Sequence, residues 1–217
     1  FLVLGIGKRA EMTLRSLRLL VRKATVLAKV NKEKRLVFDL SEWYFPKLKL
    51  EEGELVEMLA TNILLADYTF TTYKMRPEEG FPVIERVVFN GVQKELAAKQ
   101  ALQRAKIIAI ETNQARSITN TPAGDMTPAF LARHAKRAFK KLPVKVTVWD
   151  EQRLLKENMT GIIAVGKGSE AKPCFIIAEY WRGKKTEAPV VLVGKGVTFD
   201  SGGINLKPSQ YILGMNM

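Results

Sequence analysis

Between Val190 and Ser209 the chain concentrates residue types that can do chemistry. The apolar run Val190-Val-Leu-Val193 leads directly into Gly194-Lys195-Gly196, and a carboxylate follows at Asp200. Gly202-Gly203 then turns the chain, and a second amine follows at Lys207. Loops at the carboxyl ends of sheet strands are where α/β proteins hold their ligands. Spacing alone favours a plainer reading, because a lysine and an aspartate near a strand end often form a surface ion pair worth about 1 kcal/mol or less. The chain holds one histidine, His134, and one cysteine, Cys174. A histidine-rich zinc site and a Ser-His-Asp triad are therefore poorly supplied, and any metal would have to rest mainly on carboxylates.

A second glycine–lysine cluster, Gly166-Lys167-Gly168-Ser169, forms G-x-x-x-x-G-K with Gly161. It fails as a phosphate-binding loop, because the Ser/Thr that would hold magnesium must follow the lysine directly and Gly168 stands there. The intervening Ile162-Ile-Ala-Val165 reads as strand material. His134 reads as a surface or boundary residue of a basic helix, Cys174 as core, and Trp149 and Trp181 as packing or interface residues.

The elements that must carry these groups follow from periodicity. Phe1–Ile6, Arg35–Leu40, Val83–Phe89, Val144–Asp150, Ile162–Val165, Cys174–Tyr180 and Val190–Val193 read as strands. Helices are expected over Glu11–Lys29, Glu54–Tyr68, Val92–Ile118, from Thr127 to Lys141, and over Glu151–Asn158, with an irregular loop over 69–82. Thr127 is suited to cap its helix, with Pro128 at the first position. Alternation of strands and helices predicts an α/β protein with a largely parallel or mixed sheet. The alanine-rich helix starting at Val92 reads equally as a linker between domains and as a crossover within one sheet.

Length and composition agree with one large or two modest domains: 217 residues, 47% apolar and 26% charged. No apolar run approaches a membrane span. A single cysteine points to a reducing, cytosolic setting, and the first residue, Phe1, to a chain that begins inside a longer protein. The net charge is +13 and uneven. Residues 1–50 hold 12 Lys/Arg against 4 Asp/Glu, whereas residues 51–100 hold 5 against 9. A basic front of this kind can attract nucleic acid. The plainer reading is a solvated helix surface, since no recognition motif accompanies it.

The stretch from Val193 to Pro208 resembles the signature V-G-K-G-x-T-F-D-S-G-G-x-x-x-K-P of the leucyl aminopeptidase family of metallopeptidases and meets each of its fixed positions. Upstream, Ala115-Arg116-Ser-Ile-Thr-Asn120-Thr-Pro122 with Thr127-Pro128 is similar to the family's entry into its catalytic domain, with Ile118 where leucine is usual. Ala164-Val-Gly-Lys-Gly-Ser169 followed by Tyr180 matches the strand pair before the signature. The resemblance is firm from Ala115 onward and looser over residues 1–90.

The resemblance implies an amino-terminal α/β domain over 1–91, a linker helix over 92–118, and the first part of an α/β catalytic domain with a mixed central sheet over 119–217. It implies a cytoplasmic aminopeptidase that releases amino-terminal residues, with a leucine-type preference, from peptide substrates. It implies two divalent cations, Mn or Zn with Mg or Co as alternatives, and a homo-oligomer, a hexamer in most members. Lys195 would ligate one cation, Asp200 would bridge both, and Lys207 would face the substrate carbonyl. Carboxylate oxygen is a hard ligand suited to such ions. A lysine ligates only as a neutral amine, its proton held off by adjacent cation charge. A protonated Lys207 would stabilise an oxyanion.

The chain also departs from the pattern. A further aspartate ligand is expected beyond Lys207, where the sequence reads Gly214-Met-Asn-Met217, and the later N-T-D-x-E-G-R motif is absent. Asp150, Glu157 and Glu179 lie outside the matching motifs. A truncated chain, inactive by itself, is the expectation. The alternative is a non-catalytic homologue or fragment with a structural or nucleic-acid-binding role.

Overall fold

The computed structural model describes residues 4–184 and 186–212. The chain divides into two compact units, residues 1–117 and 118–217. Each is α/β.

The first unit begins irregularly. Leu4–Ile6 form no strand, and Phe1–Val3 lie outside the described residues, so the expected first strand is not found where it can be judged. Helix α1 spans Leu14–Val30. Thr13 caps it, accepting from the Ser16 amide while the Ser16 hydroxyl accepts from the Thr13 amide, so two otherwise orphaned donors are satisfied. Its inward face is Leu17, Val21, Thr25 and Ala28, at spacings of three and four.

Strand β1, Arg35–Asp39, runs through the short helix α2, Leu40–Trp43, towards α3, Glu52–Asp67. Strand β2, Arg86–Asn90, returns parallel to β1, with Arg35 opposite Arg86 and Asp39 opposite Asn90. Parallel pairing needs a long crossover, and α2, α3 and the loop over 69–82 supply it. Helix α3 is buried nearly all round because α1 covers one side and α4, Glu95–Asn120, another. The face of α4 is a stripe of small residues, Ala98, Ala101, Ala105 and Ala109. Small side chains let the backbones approach, and a Cβ on Gly53 of α3 would lie 3.7 Å from Ala97 Cβ. Up to Ser117, α4 belongs to this first unit.

One charged group is drawn into this core. Lys29, 8% exposed, donates to the Asp67 carbonyl and to Thr69 Oγ1 and pairs with the Asp67 carboxylate. Full pairing is what makes a buried ammonium tolerable.

The second unit is built around an antiparallel pair, β3, Lys145–Trp149, and β4, Phe175–Glu179. Lys145 faces Glu179 across the pair at 3.5 Å, and the Trp149 and Phe175 rings pack with centroids 5.7 Å apart. Helix α5, Pro128–Ala138, precedes this pair, capped by Thr127 with Pro128 in its first turn. It ends before Lys141, three residues earlier than expected. Helix α6, Glu151–Lys156, is capped by Asp150 and buries Leu154. Helix α8 is Ser209–Ile212.

Two expected strands do not form. Ile162–Val165 lies within helix α7, Thr160–Gly166. A short apolar run fits a turn of helix as well as a strand, and β3 and β4 already pair with each other, whereas a helix satisfies its own backbone. The Gly161–Lys167 cluster is thus helical rather than a phosphate cradle. Gly166 serves packing instead, since a Cβ there would lie 2.9 Å from the Pro173 ring. Val190–Val193 enters no ladder among the described residues, and these residues are 71–92% exposed. Cys174 is half-buried rather than core, its thiol donating to the Pro128 carbonyl at 3.3 Å, and partial desolvation pushes its pKa up.

Leu59 has no exposed surface and lies in the first unit's core. Leu59→Ala is expected to destabilise that unit by about 2–5 kcal/mol, read as a lower urea midpoint. A loss under about 1 kcal/mol would mean that this seam is not a packed core.

Candidate functional site

The three residues singled out by sequence come together in the second unit. Lys195, Asp200 and Lys207 line one cavity of about 300 Å³, at the lower end of small-molecule sites. Gly196, Val197 and Thr198 complete that wall.

The loop from Asp200 to Lys207 is held by its own hydrogen bonds. Asp200 Oδ1 accepts from the Gly202 amide at 2.8 Å, Asp200 Oδ2 accepts from Lys207 Nζ at 2.8 Å, and the Lys207 amide donates to the Ser201 carbonyl at 3.0 Å. Gly202 makes this turn available. Its φ is +91°, and a Cβ there would collide with the Asn205 carbonyl oxygen. The Asp200 carboxyl is held below the usual carboxylate range, first by the Lys207 hydrogen bond and next by the Gly202 amide, with smaller contributions from the charges of Lys207 and Lys195. The pair is partly solvated, with 36% of the Lys207 and 47% of the Asp200 side chain exposed, so water screens it.

The rest of the lining comes from residues that sequence reasoning had not placed at the site. Ile118 and Thr119 close α4, Thr121 and Met126 belong to the following turn, and Leu131 stands on α5. That turn is tied by the Asp125 and Met126 amides, both donating to the Pro122 carbonyl. Thr127 Oγ1 then accepts from the Phe130 amide at 3.3 Å and starts α5. The motif Ala115–Pro122 with Thr127-Pro128 was the available signal, though it marks position in the chain rather than proximity to Asp200. The cavity thus joins an apolar side, Ile118, Met126 and Leu131, to a charged one.

The fit to a two-cation centre is incomplete. Asp200 is the cavity's single carboxylate, and among the described residues no three His, Cys, Asp or Glu side chains gather. The carboxylates outside the matching motifs have structural work: Asp150 caps α6, Glu157 pairs with Arg153 at 2.6 Å, and Glu179 pairs with Lys145. His134 is half-buried on α5, away from the cavity lining. These donors do not by themselves hold two cations.

Residues 113–217 match the model of the cytosol aminopeptidase family, catalytic domain. A probable cytosol aminopeptidase of Geobacter sulfurreducens is 39% identical over 153 residues, 70% of this chain and 31% of that protein. One from Roseiflexus castenholzii is 33% identical over 219 residues, all of this chain and 44% of that protein. The chain thus spans less than half the length of these relatives. Among solved structures, the bottromycin maturation enzyme BotP in complex with Mn is similar with a TM-score of 0.76 and 26% identity, covering 98% of this chain and 43% of that one. Lys195, Asp200, Lys207 and the rest of the cavity's lining all lie inside the matched segment, and the chain belongs to the cytosol aminopeptidase family.

Proposed function

We propose that the whole protein is a cytoplasmic, metal-dependent aminopeptidase, releasing amino-terminal residues of leucine type from peptides. The observation that carries this reading is the meeting of Lys195, Asp200 and Lys207 in one cavity beside an apolar wall. Family membership and the relatives named cytosol aminopeptidases support it. On this reading residues 1–91 form the amino-terminal domain, 92–118 the linker helix and 119–217 the first part of the catalytic domain, and the protein assembles as a hexamer.

Each residue has a proposed part. Asp200 and Lys195 contribute to a centre of two divalent cations, Mn or Zn with Mg or Co as alternatives, whose other ligands come from further sequence. Lys207 donates a proton-bearing amine to the oxygen that becomes negative as a tetrahedral adduct forms. A donor aimed at developing charge is worth more in the transition state than in the ground state. Ile118, Met126 and Leu131 offer an apolar seat for a leucine-type side chain. With so few ligand donors, the 217 residues alone are proposed to be inactive.

The decisive assay is hydrolysis of a leucine anilide by the full-length protein with added Mn²⁺ or Zn²⁺. Turnover is expected, with Lys207→Met lowering kcat by about 10²–10³-fold and Asp200→Asn abolishing metal-dependent turnover. An unchanged kcat in Lys207→Met would remove Lys207 from this role, and absence of turnover in the full-length protein would sink the reading.

The pair also predicts a titration. Because the folded state lowers the Asp200 pKa, the pair's contribution to stability is present above the ordinary carboxylate pKa and is lost as pH falls through the depressed value. In metal-free protein, Lys207→Met is expected to move the Asp200 carboxyl resonance midpoint up towards the ordinary range. An unmoved midpoint would show that Lys207 does not hold this carboxylate.

A further inference from the structure

Helix α1 turns outward a face unlike that of the other long helices. Leu19, Val26 and Val30 form one line along it at helical spacing, and they are 47–72% exposed. Arg15 and Arg22 border that line on one side, with Arg18 beyond them, and Lys23 borders it on the other. All four cations are exposed. Arg22 uses its Nε–H on Asn62 Oδ1 at 2.8 Å. None of the 17 residues of α1 is acidic. Glu11 before it pairs with Lys8, and Glu33 stands past its end. The combination of apolar line and cationic borders, rather than charge by itself, sets this face apart. The exposed Leu96, Ile107 and Ile110 of α4 lie among charges of both signs, with Lys99 paired to Glu95 and Arg104 to Glu57. Helix α5 carries cations without acids, but its exposed apolar residues are the small Ala129 and Ala138.

We propose that this face of α1 is a docking surface for the anionic leaflet of a lipid bilayer. Charge complementarity selects a negative partner, because clustered Lys and Arg on an amphipathic helix are what anionic phospholipid attracts. The aliphatic line selects lipid among negative partners. A phosphate backbone offers nothing apolar for Leu19, Val26 and Val30 to meet. The boundary between headgroups and acyl chains does, and it takes shallow aliphatic groups while flanking cations stay at the phosphates. The inner residues Leu17 and Val21 remain in the core of the first unit, so the surface is presented by the folded protein and is convex, without a groove for a peptide. No helix among the described residues is long and apolar enough to cross a membrane. The contact is therefore peripheral, reversible and sensitive to salt. All of its residues lie in the first unit, and the inference does not depend on the peptidase reading.

The test is co-sedimentation of the full-length protein with vesicles of phosphatidylcholine, alone or with roughly 30% phosphatidylserine, at about 50 and 300 mM KCl. Binding is expected to the mixed vesicles at the lower salt, and is expected to fall at the higher as screening shortens the reach of the charges. Each cation near an anionic surface contributes about fivefold in partition. Arg15→Gln with Arg18→Gln is therefore expected to weaken binding about 25-fold. Leu19→Gln with Val26→Gln removes two inserted aliphatic groups and is expected to weaken it about tenfold, a loss that a purely electrostatic contact would not show. Unchanged melting temperatures would confirm that both pairs remain folded, and the wild-type comparison of the two vesicle compositions stands without them. Equal binding to both compositions, or none at the lower salt, overturns the proposal. So does undiminished binding by the arginine pair, or a loss confined to that pair with the aliphatic pair binding like wild type. Tighter binding of poly-glutamate than of the mixed vesicles, through the same arginines, would assign the face to an acidic protein and likewise overturn it.

Discussion

Leu17 and Val21 of α1 bury themselves against Leu55, Leu59 and Ile63 of α3, and the rest of the first unit is arranged around that seam. Full burial of one such side chain is worth about 1.5–3 kcal/mol, so the seam outweighs any surface ion pair in the unit. It also dictates the character of its neighbours. With one side of α3 taken by α1, α4 must approach on another, and alanine is the side chain that permits the approach without leaving a void. The parallel pair β1–β2 adds Phe38 and Phe89, whose ring centroids are 5.8 Å apart, to the same core.

The second unit is held differently. Its fully covered apolar side chains include Met126, Ala132 and Leu154, while Val190–Val193, Ile204 and Leu206 stand exposed. Contiguous exposed apolar surface is normally covered by something. Locally the loop that bears the candidate site is ordered by hydrogen bonds rather than by burial. The carboxylate of Asp200 draws in the Gly202 amide and the Lys207 ammonium, and that is what bends the chain through a turn open to glycine. Geometry of this sort places charged groups well while leaving them wet, so the placement itself contributes little to stability.

This contrast explains what could be read from the sequence. Helices α1, α3 and α4 announce themselves because their apolar residues face a core at the helical period, and Thr127-Pro128 announces the start of α5 through capping chemistry. Strands β1, β2, β3 and β4 were legible as short β-branched or aromatic runs. Ile162–Val165 was not, because four apolar residues carry no period that separates a strand from a turn of helix. Val190–Val193 has strand composition but enters no ladder among the described residues, and a strand exists only through its partner. The motif located Lys195, Asp200 and Lys207. It could not reveal Ile118, Met126 and Leu131, whose place in the same cavity lining is a tertiary fact.

The charge of the cavity bears on what these residues can do together. Two amines, Lys195 and Lys207, line the cavity beside the single carboxylate of Asp200. Such a lining offers more hydrogen-bond donors to an electron-rich group, a carbonyl oxygen or an oxyanion, than ligands to a cation. A cation centre takes further carboxylates, and Asp150, Glu151, Glu157 and Glu179 are committed elsewhere as caps and ion pairs. Lys195 and Lys207 thus give this lining its amines and Asp200 its one carboxylate, and the proposed cation centre depends on further acidic groups.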